Sequence, residues 1–133
     1  MKPSTTFTAQ KLAGYNAVAI AYIGDAVYNL FVRTRLIEER DAQSGKLQAQ
    51  SGKIVSARMQ AQAALKIKEI LTEEETAIFK RARNAKKTST AKNASASEYS
   101  NSTGIEAVFG YLYLKNEQTR LYELLNIAFE ESK

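Results

Sequence analysis

Two long apolar stretches, each carrying one charge, constrain this chain more than any other feature. The first, residues 17–31, reads AVAIAYIGDAVYNLF and holds only Asp25; the second, residues 102–114, reads STGIEAVFGYLYL and holds only Glu106. Their length and apolar spacing predict helices. A carboxylate inside a core-forming helix is costly to bury unless it is paired or coordinated. A divalent-metal site built where the two helices meet would satisfy both acids. A structural acid is the alternative, with Asp25 paired to an arginine of the last helix.

Chemistry is narrowed further by what the chain lacks. It has no cysteine and no histidine, which excludes disulfides, zinc fingers, iron–sulfur clusters and Cys or His nucleophiles. A hard ion with oxygen ligands, Mg²⁺, is the cofactor such a composition favours. With 133 residues the chain fits one domain with a proper core. Lys and Arg outnumber Asp and Glu 19 to 14, so a polyanionic partner is expected. Gly14, Asn16, Gly24, Asp25 and Asn29 interrupt the first apolar region, and no signal peptide is visible. A soluble cytoplasmic protein with no membrane partner is therefore expected.

Residues 1–7, with Pro3 and a Ser-Thr-Thr cluster, read as a frayed terminus. Asn16 reads as the N-cap of the first long helix, which should reach about Arg35 or Ile37 with Val18, Ile20, Ile23, Val27, Leu30 and Phe31 packed on several sides. A short segment at 46–50 should end in a Ser51-Gly52 turn, and a helix should follow over 53–70 on the stripe Val55, Met59, Ala63 and Ile67. Thr72 and Glu75 form a capping-box pattern that opens a helix to about Arg83. Residues 84–101 read as a flexible basic loop, with Ser102 or Thr103 capping the helix that carries Glu106. A final amphipathic helix covers 118–130. No strand alternation is present, so an all-α fold is predicted.

Between Lys80 and Ser97 there are six cations and no acid: Lys80, Arg81, Arg83, Lys86, Lys87 and Lys92. Interleaved with Ser, Thr and Asn donors, Asn84 among them, this stretch suits phosphate and sugar contacts and carries no base-reading signature. A solvated linker is the bland alternative. Tyr22 is compatible on spacing alone with a core position or with a contact to a partner subunit.

The segment AYIGDAVYNL resembles the ribonuclease III signature, where an acid and an aromatic accompany Leu-Gly-Asp-Ala. GIEAVFGYLYL resembles that family's second motif, Glu-Ala-x-x-Gly-x-x-Tyr-Leu, and KIVSARMQAQAA its intervening helix. The resemblance runs from about residue 16 to 130. Absence of a following double-stranded-RNA-binding domain makes the chain most similar to the Mini-ribonuclease III group, bacterial enzymes that trim precursor 23S ribosomal RNA. It implies a single ribonuclease III-type catalytic domain over 1–133, an all-helical homodimer and Mg²⁺-dependent cleavage of double-stranded RNA, with ribosomal proteins as further candidate partners. By motif match Asp25 and Glu106 are the metal-binding catalytic acids, Tyr22 packs into the partner subunit, and Ser102 and Thr103 support the site. The wider family carries acids where this chain has Val18, Ala21 and Thr103. Those departures motivate the alternative, a non-catalytic RNA-binding or ribosome-associated module with a degenerate metal site. A helical interaction protein with an incidental basic loop is a third reading.

Overall fold

A computed structural model describes residues 1–39, 41–86 and 94–132. Within them the fold is all-α: α1 (Ala9–Ala13), α2 (Ala17–Glu39), α3 (Ser44–Ile54), α4 (Ala57–Ile67) with a short 3₁₀ turn (Lys68–Ile70), α5 (Glu73–Asn84), α6 (Ala96–Leu114) and α7 (Gln118–Glu131). Helices α2 and α6 pack on each other at the centre, and α4, α5 and α7 surround α6. No helix of the described residues is long and apolar enough to cross a membrane.

Local chemistry explains most boundaries. The Asn16 side chain accepts from the Val18 and Ala19 N–H groups at 2.8 and 3.3 Å, starting α2 as its residue type suggests. Thr72 and Glu75 form the expected reciprocal capping box at α5. Several boundaries differ from expectation. Helix α3 runs through Ser51 and Gly52, and the break falls at Val55-Ser56, where Ser56 caps α4. Helix α6 begins at Ala96, capped by a second box between Ser95 and Glu98, so 96–101 are helix and not loop. Ser102 and Thr103 sit inside α6, where both hydroxyls donate to the Tyr99 carbonyl. Residues 1–7 are tied down at their last member, since the Phe7 N–H donates to the Leu114 carbonyl at 2.9 Å.

Glycine sets the spacing of the two central helices. A Cβ placed on Gly24 would lie 1.7 Å from the Glu106 carbonyl oxygen, and one on Gly110 would lie 2.0 Å from that of Ile20. Each helix thus offers a gap to the other's backbone, closer than any side chain allows. Tyr28 and Phe109 stack at 5.3 Å beside this crossing, both fully buried. The opposite side of α2 is not covered as its apolar pattern suggested: Tyr22 is 78% exposed, Leu30 53% and Ile37 64%.

The crossing predicts a sharp contrast between glycines. Gly24→Ala forces the central pair apart and should destabilise the protein by about 3 kcal/mol or more, at the level of core overpacking. Gly52→Ala adds a methyl to open space inside a helix and should stabilise by about 0.5–1 kcal/mol. Thermal unfolding followed by circular dichroism reads both, and equal melting temperatures for the two variants would contradict this account.

Candidate active site

Because Gly24 meets the Glu106 backbone, the next residue along α2, Asp25, is delivered to the side of α6 from which the Glu106 side chain projects. The two carboxylates come within hydrogen-bonding reach. Sequence separation hid this pairing, and the lone-acid pattern anticipated it. The burial differs from expectation, however. Asp25 lies exposed on its helix, and it makes no salt bridge to the last helix among the described residues. Asn29, one turn on, donates to both the Asp25 side chain at 3.2 Å and its carbonyl at 2.9 Å.

Glu106 is the more enclosed partner. Burial, reinforced by the hydrogen bond and negative charge of Asp25, pushes its carboxyl up to about 9; only the Gln60 amide opposes the rise. Gln60 donates to Glu106 Oε2 at 3.2 Å and to the Val55 carbonyl at 2.8 Å. Together these groups line an open cleft of about 370 Å³. Val18, Ala21 and Thr103, the three positions where acids stand in the wider family, line it too, as do Tyr99 and Ser102. Tyr22 stands at its rim.

Among the described residues no third acid joins the pair. Two facing carboxylates with a proton-raising like-charge contact are nevertheless a fit for a hard dication. A cation between them removes the repulsion, and an open cleft leaves room for water and phosphate oxygens to complete its shell. Gln60 meets Glu106 through its nitrogen, and its Oε1 is buried without a partner.

Other anticipated residues lie elsewhere. Lys80, Arg81, Arg83 and Asn84 occupy the last turns of α5, and Lys86 follows them, exposed. Arg81 donates to the Tyr15 carbonyl, and Arg83 stacks over Phe79 at 5.8 Å. None of these residues lines the cleft. Lys87 and Lys92 lie outside the described residues. Gln60 escaped the sequence reading, although it heads the buried i, i+3, i+4, i+7 stripe Gln60, Ala63, Ala64, Ile67 of α4. A polar residue at such a position was the available signal.

Comparison with known proteins decides the family. The Ribonuclease III domain model matches residues 18–117. The chain belongs to the ribonuclease III family. It is 44% identical to Mini-ribonuclease 3 of Clostridium tetani, covering 95% of this chain and 86% of that protein. It is also 44% identical to Mini-ribonuclease 3 of Staphylococcus aureus, covering 84% of each. A crystal structure of a Fusobacterium nucleatum protein superposes with a TM-score of 0.82 at 26% identity, over 92% of this chain and 98% of that one. The chain is thus an endoribonuclease of the ribonuclease III type.

The shared cleft has a measurable cost in the metal-free protein. Glu106 holds its proton on folding to about pH 9, against an ordinary value of 4.5. The associated stability is complete below pH 4.5 and is lost as pH rises towards 9. Glu106→Gln removes this dependence. In EDTA at pH 8 the variant should exceed the parent in stability by on the order of 3 kcal/mol, with the gap shrinking towards pH 5. Denaturant unfolding at the two pH values checks it, and a gap that fails to grow with pH would refute it.

Proposed function

We propose that this endoribonuclease hydrolyses double-stranded RNA in a Mg²⁺-dependent reaction and that its substrate is precursor 23S ribosomal RNA in the cytoplasm. The observation that carries the reading is the approach of Asp25 to Glu106 across the α2–α6 crossing, inside an open cleft. The names of the relatives support it.

Asp25 and Glu106 would hold the ion, with Asn29 fixing one carboxylate and Gln60 the other. Bound Mg²⁺ supplies a polarised phosphate and a water of lowered pKa. Hydrolysis adds that water across the P–O3′ bond and leaves 5′-phosphate and 3′-hydroxyl ends, so no protein nucleophile is required. Lys80, Arg81, Arg83, Asn84, Lys86, Lys87 and Lys92 would grip phosphates, reading A-form shape more than sequence. In sequence this segment precedes α6, whose first turns carry Tyr99, Ser102 and Thr103 to the cleft. Ser102 and Thr103 would support the site from there.

A homodimer is part of the proposal. Tyr22, Ala26, Leu30 and Ile37 share one face of α2 at helical spacing. Beside them an apolar groove of about 430 Å³ is walled by Ile23, Val27, Phe31, Leu121 and Tyr122. Contiguous exposed apolar surface of this kind marks an interaction site. Tyr22→Ala should shift sedimentation towards monomer and lower activity with it; an unchanged dimer would remove Tyr22 as the anchor. Ribosomal proteins remain candidate partners in presenting the RNA.

One assay tests the metal and substrate assignments. Purified protein is incubated with double-stranded RNA, including a precursor 23S stem, with Mg²⁺ or EDTA. Cleavage should need Mg²⁺ and fall by about 10³-fold or more in Asp25→Asn, as expected when a group acting at the reacting phosphate is lost. Cleavage that persists in EDTA or in Asp25→Asn would instead overturn the Mg²⁺ assignment to this cleft. In the same preparation Lys80→Ala with Lys86→Ala should flatten the salt dependence of binding; an unchanged slope would place the RNA elsewhere.

A further inference from the structure

Gln60 is 2% exposed and occupies a core-facing position where an apolar side chain would pack without polar cost. What it does there follows from the break between α3 and α4. Ser56 Oγ takes the Met59 N–H as N-cap, so that donor does not reach back to the Val55 carbonyl. The Gln60 amide fills the vacancy: one N–H donates to Val55 O at 2.8 Å, the other to Glu106 Oε2 at 3.2 Å. The reverse orientation would set the amide oxygen against the Val55 carbonyl oxygen, two acceptors facing each other, so the network fixes which end is nitrogen. Oε1 is then left buried without a donor. A side chain held at the expense of an unsatisfied oxygen has a task on its nitrogen side.

We infer that Gln60 is a positioning residue: anchored on the Val55 carbonyl, its amide holds the Glu106 carboxylate in the orientation that faces Asp25, and so sets the affinity of the cleft for Mg²⁺. The inference rests on the nuclease reading of that cleft. The residue type fits the role. Lysine or arginine would neutralise Glu106 and compete with the cation, and a third acid would deepen the repulsion. Asparagine is one methylene too short to span both acceptors. Glutamine donates without changing the net charge offered to the ion, as partners that orient metal ligands do.

The test uses the full chain with Gln60→Met, which keeps length and bulk and deletes the donor. Mg²⁺ binding is titrated by calorimetry without RNA, and cleavage is measured against Mg²⁺ concentration. Affinity should fall by about tenfold, cleavage should recover at raised Mg²⁺, and RNA affinity in EDTA should be unchanged. A Gln60 that merely packs would lower the melting temperature and leave the Mg²⁺ midpoint where it was, which overturns the inference. Should Gln60→Met not fold, the parent protein answers by NMR. The Gln60 side-chain amide resonances should move on Mg²⁺ addition with the calorimetric midpoint and stay put in Asp25→Asn; resonances indifferent to Mg²⁺ in the parent overturn it. A parent that neither binds Mg²⁺ nor cuts RNA removes the nuclease reading as well. A parent that does both, beside an indistinguishable Gln60→Met, removes this inference alone.

Discussion

Backbone-to-backbone contact between α2 and α6 is the constraint on which the rest of the molecule depends. Gly24 and Gly110 each receive the other helix's carbonyl where a Cβ would collide with it. Helices that close have little freedom to slide or rotate, because a bump in either direction meets the next side chain. The carboxylates are attached at that fixed point: Asp25 directly follows one of the glycines, and Glu106 is the residue whose carbonyl the glycine accommodates. The device that stabilises the core therefore also brings like charges together. Protonation of Glu106 relieves that conflict when no cation is present.

Compensation is concentrated at the other end of α6. Arg120 grips Glu75 with two bonds of 2.8 and 2.9 Å and also donates to the Ile70 carbonyl. Burial raises the Glu75 carboxyl, but the Arg120 bonds and charge together with the Thr72 backbone outweigh it and leave it below its ordinary value. Lys115 and Tyr111 hold Glu74 in the same way. Both carboxyls are held low, so their contribution is present above the ordinary carboxylate range and is lost as pH falls. Glu106 has the opposite sign. Near neutrality the Glu74 and Glu75 pairs thus favour the folded state while the buried Glu106 carboxyl opposes it.

Much of this was legible in the residues, for physical reasons that can be named. Helix existence follows from apolar periodicity, and caps such as Asn16 and Thr72 follow from side chains that satisfy free N–H groups whatever packs around them. The acid pair was legible because an isolated charge in an apolar run demands a partner. The start of α6 was missed because small residues conceal periodicity, although Ser95 and Glu98 carry the same box chemistry as Thr72 and Glu75. Ser51-Gly52 suggested a turn because glycine is a poor helix residue, yet α3 continues through it, tertiary packing overriding a weak local preference. The exposure of Asp25 and the burial of Gln60 depend on which side of each helix meets α6. That choice is made between elements and has no local signature.

The remaining oddity of α2 is that it is apolar on nearly every side, a pattern that belongs to helices buried all round. One face is covered by α6 through Ile20, Gly24 and Tyr28, and one side presents Asp25 to the cleft. Among the described residues the face through Tyr22, Ala26 and Leu30 is exposed. If the uncovered face were incidental, substitution by polar residues would cost nothing there and the charge density of the helix would resemble that of α5. Instead 22, 26 and 30 are all apolar or aromatic, and the next groove along is apolar as well. A face so composed is the surface on which the proposed homodimer rests. Because Tyr22 lies one turn before Asp25 on the same rigid rod, a surface closing over that face would also wall the carboxylate cleft. The proposed partner surface and the proposed metal cleft therefore share one helix, and residues 17–32, whose single charge is Asp25, suit both.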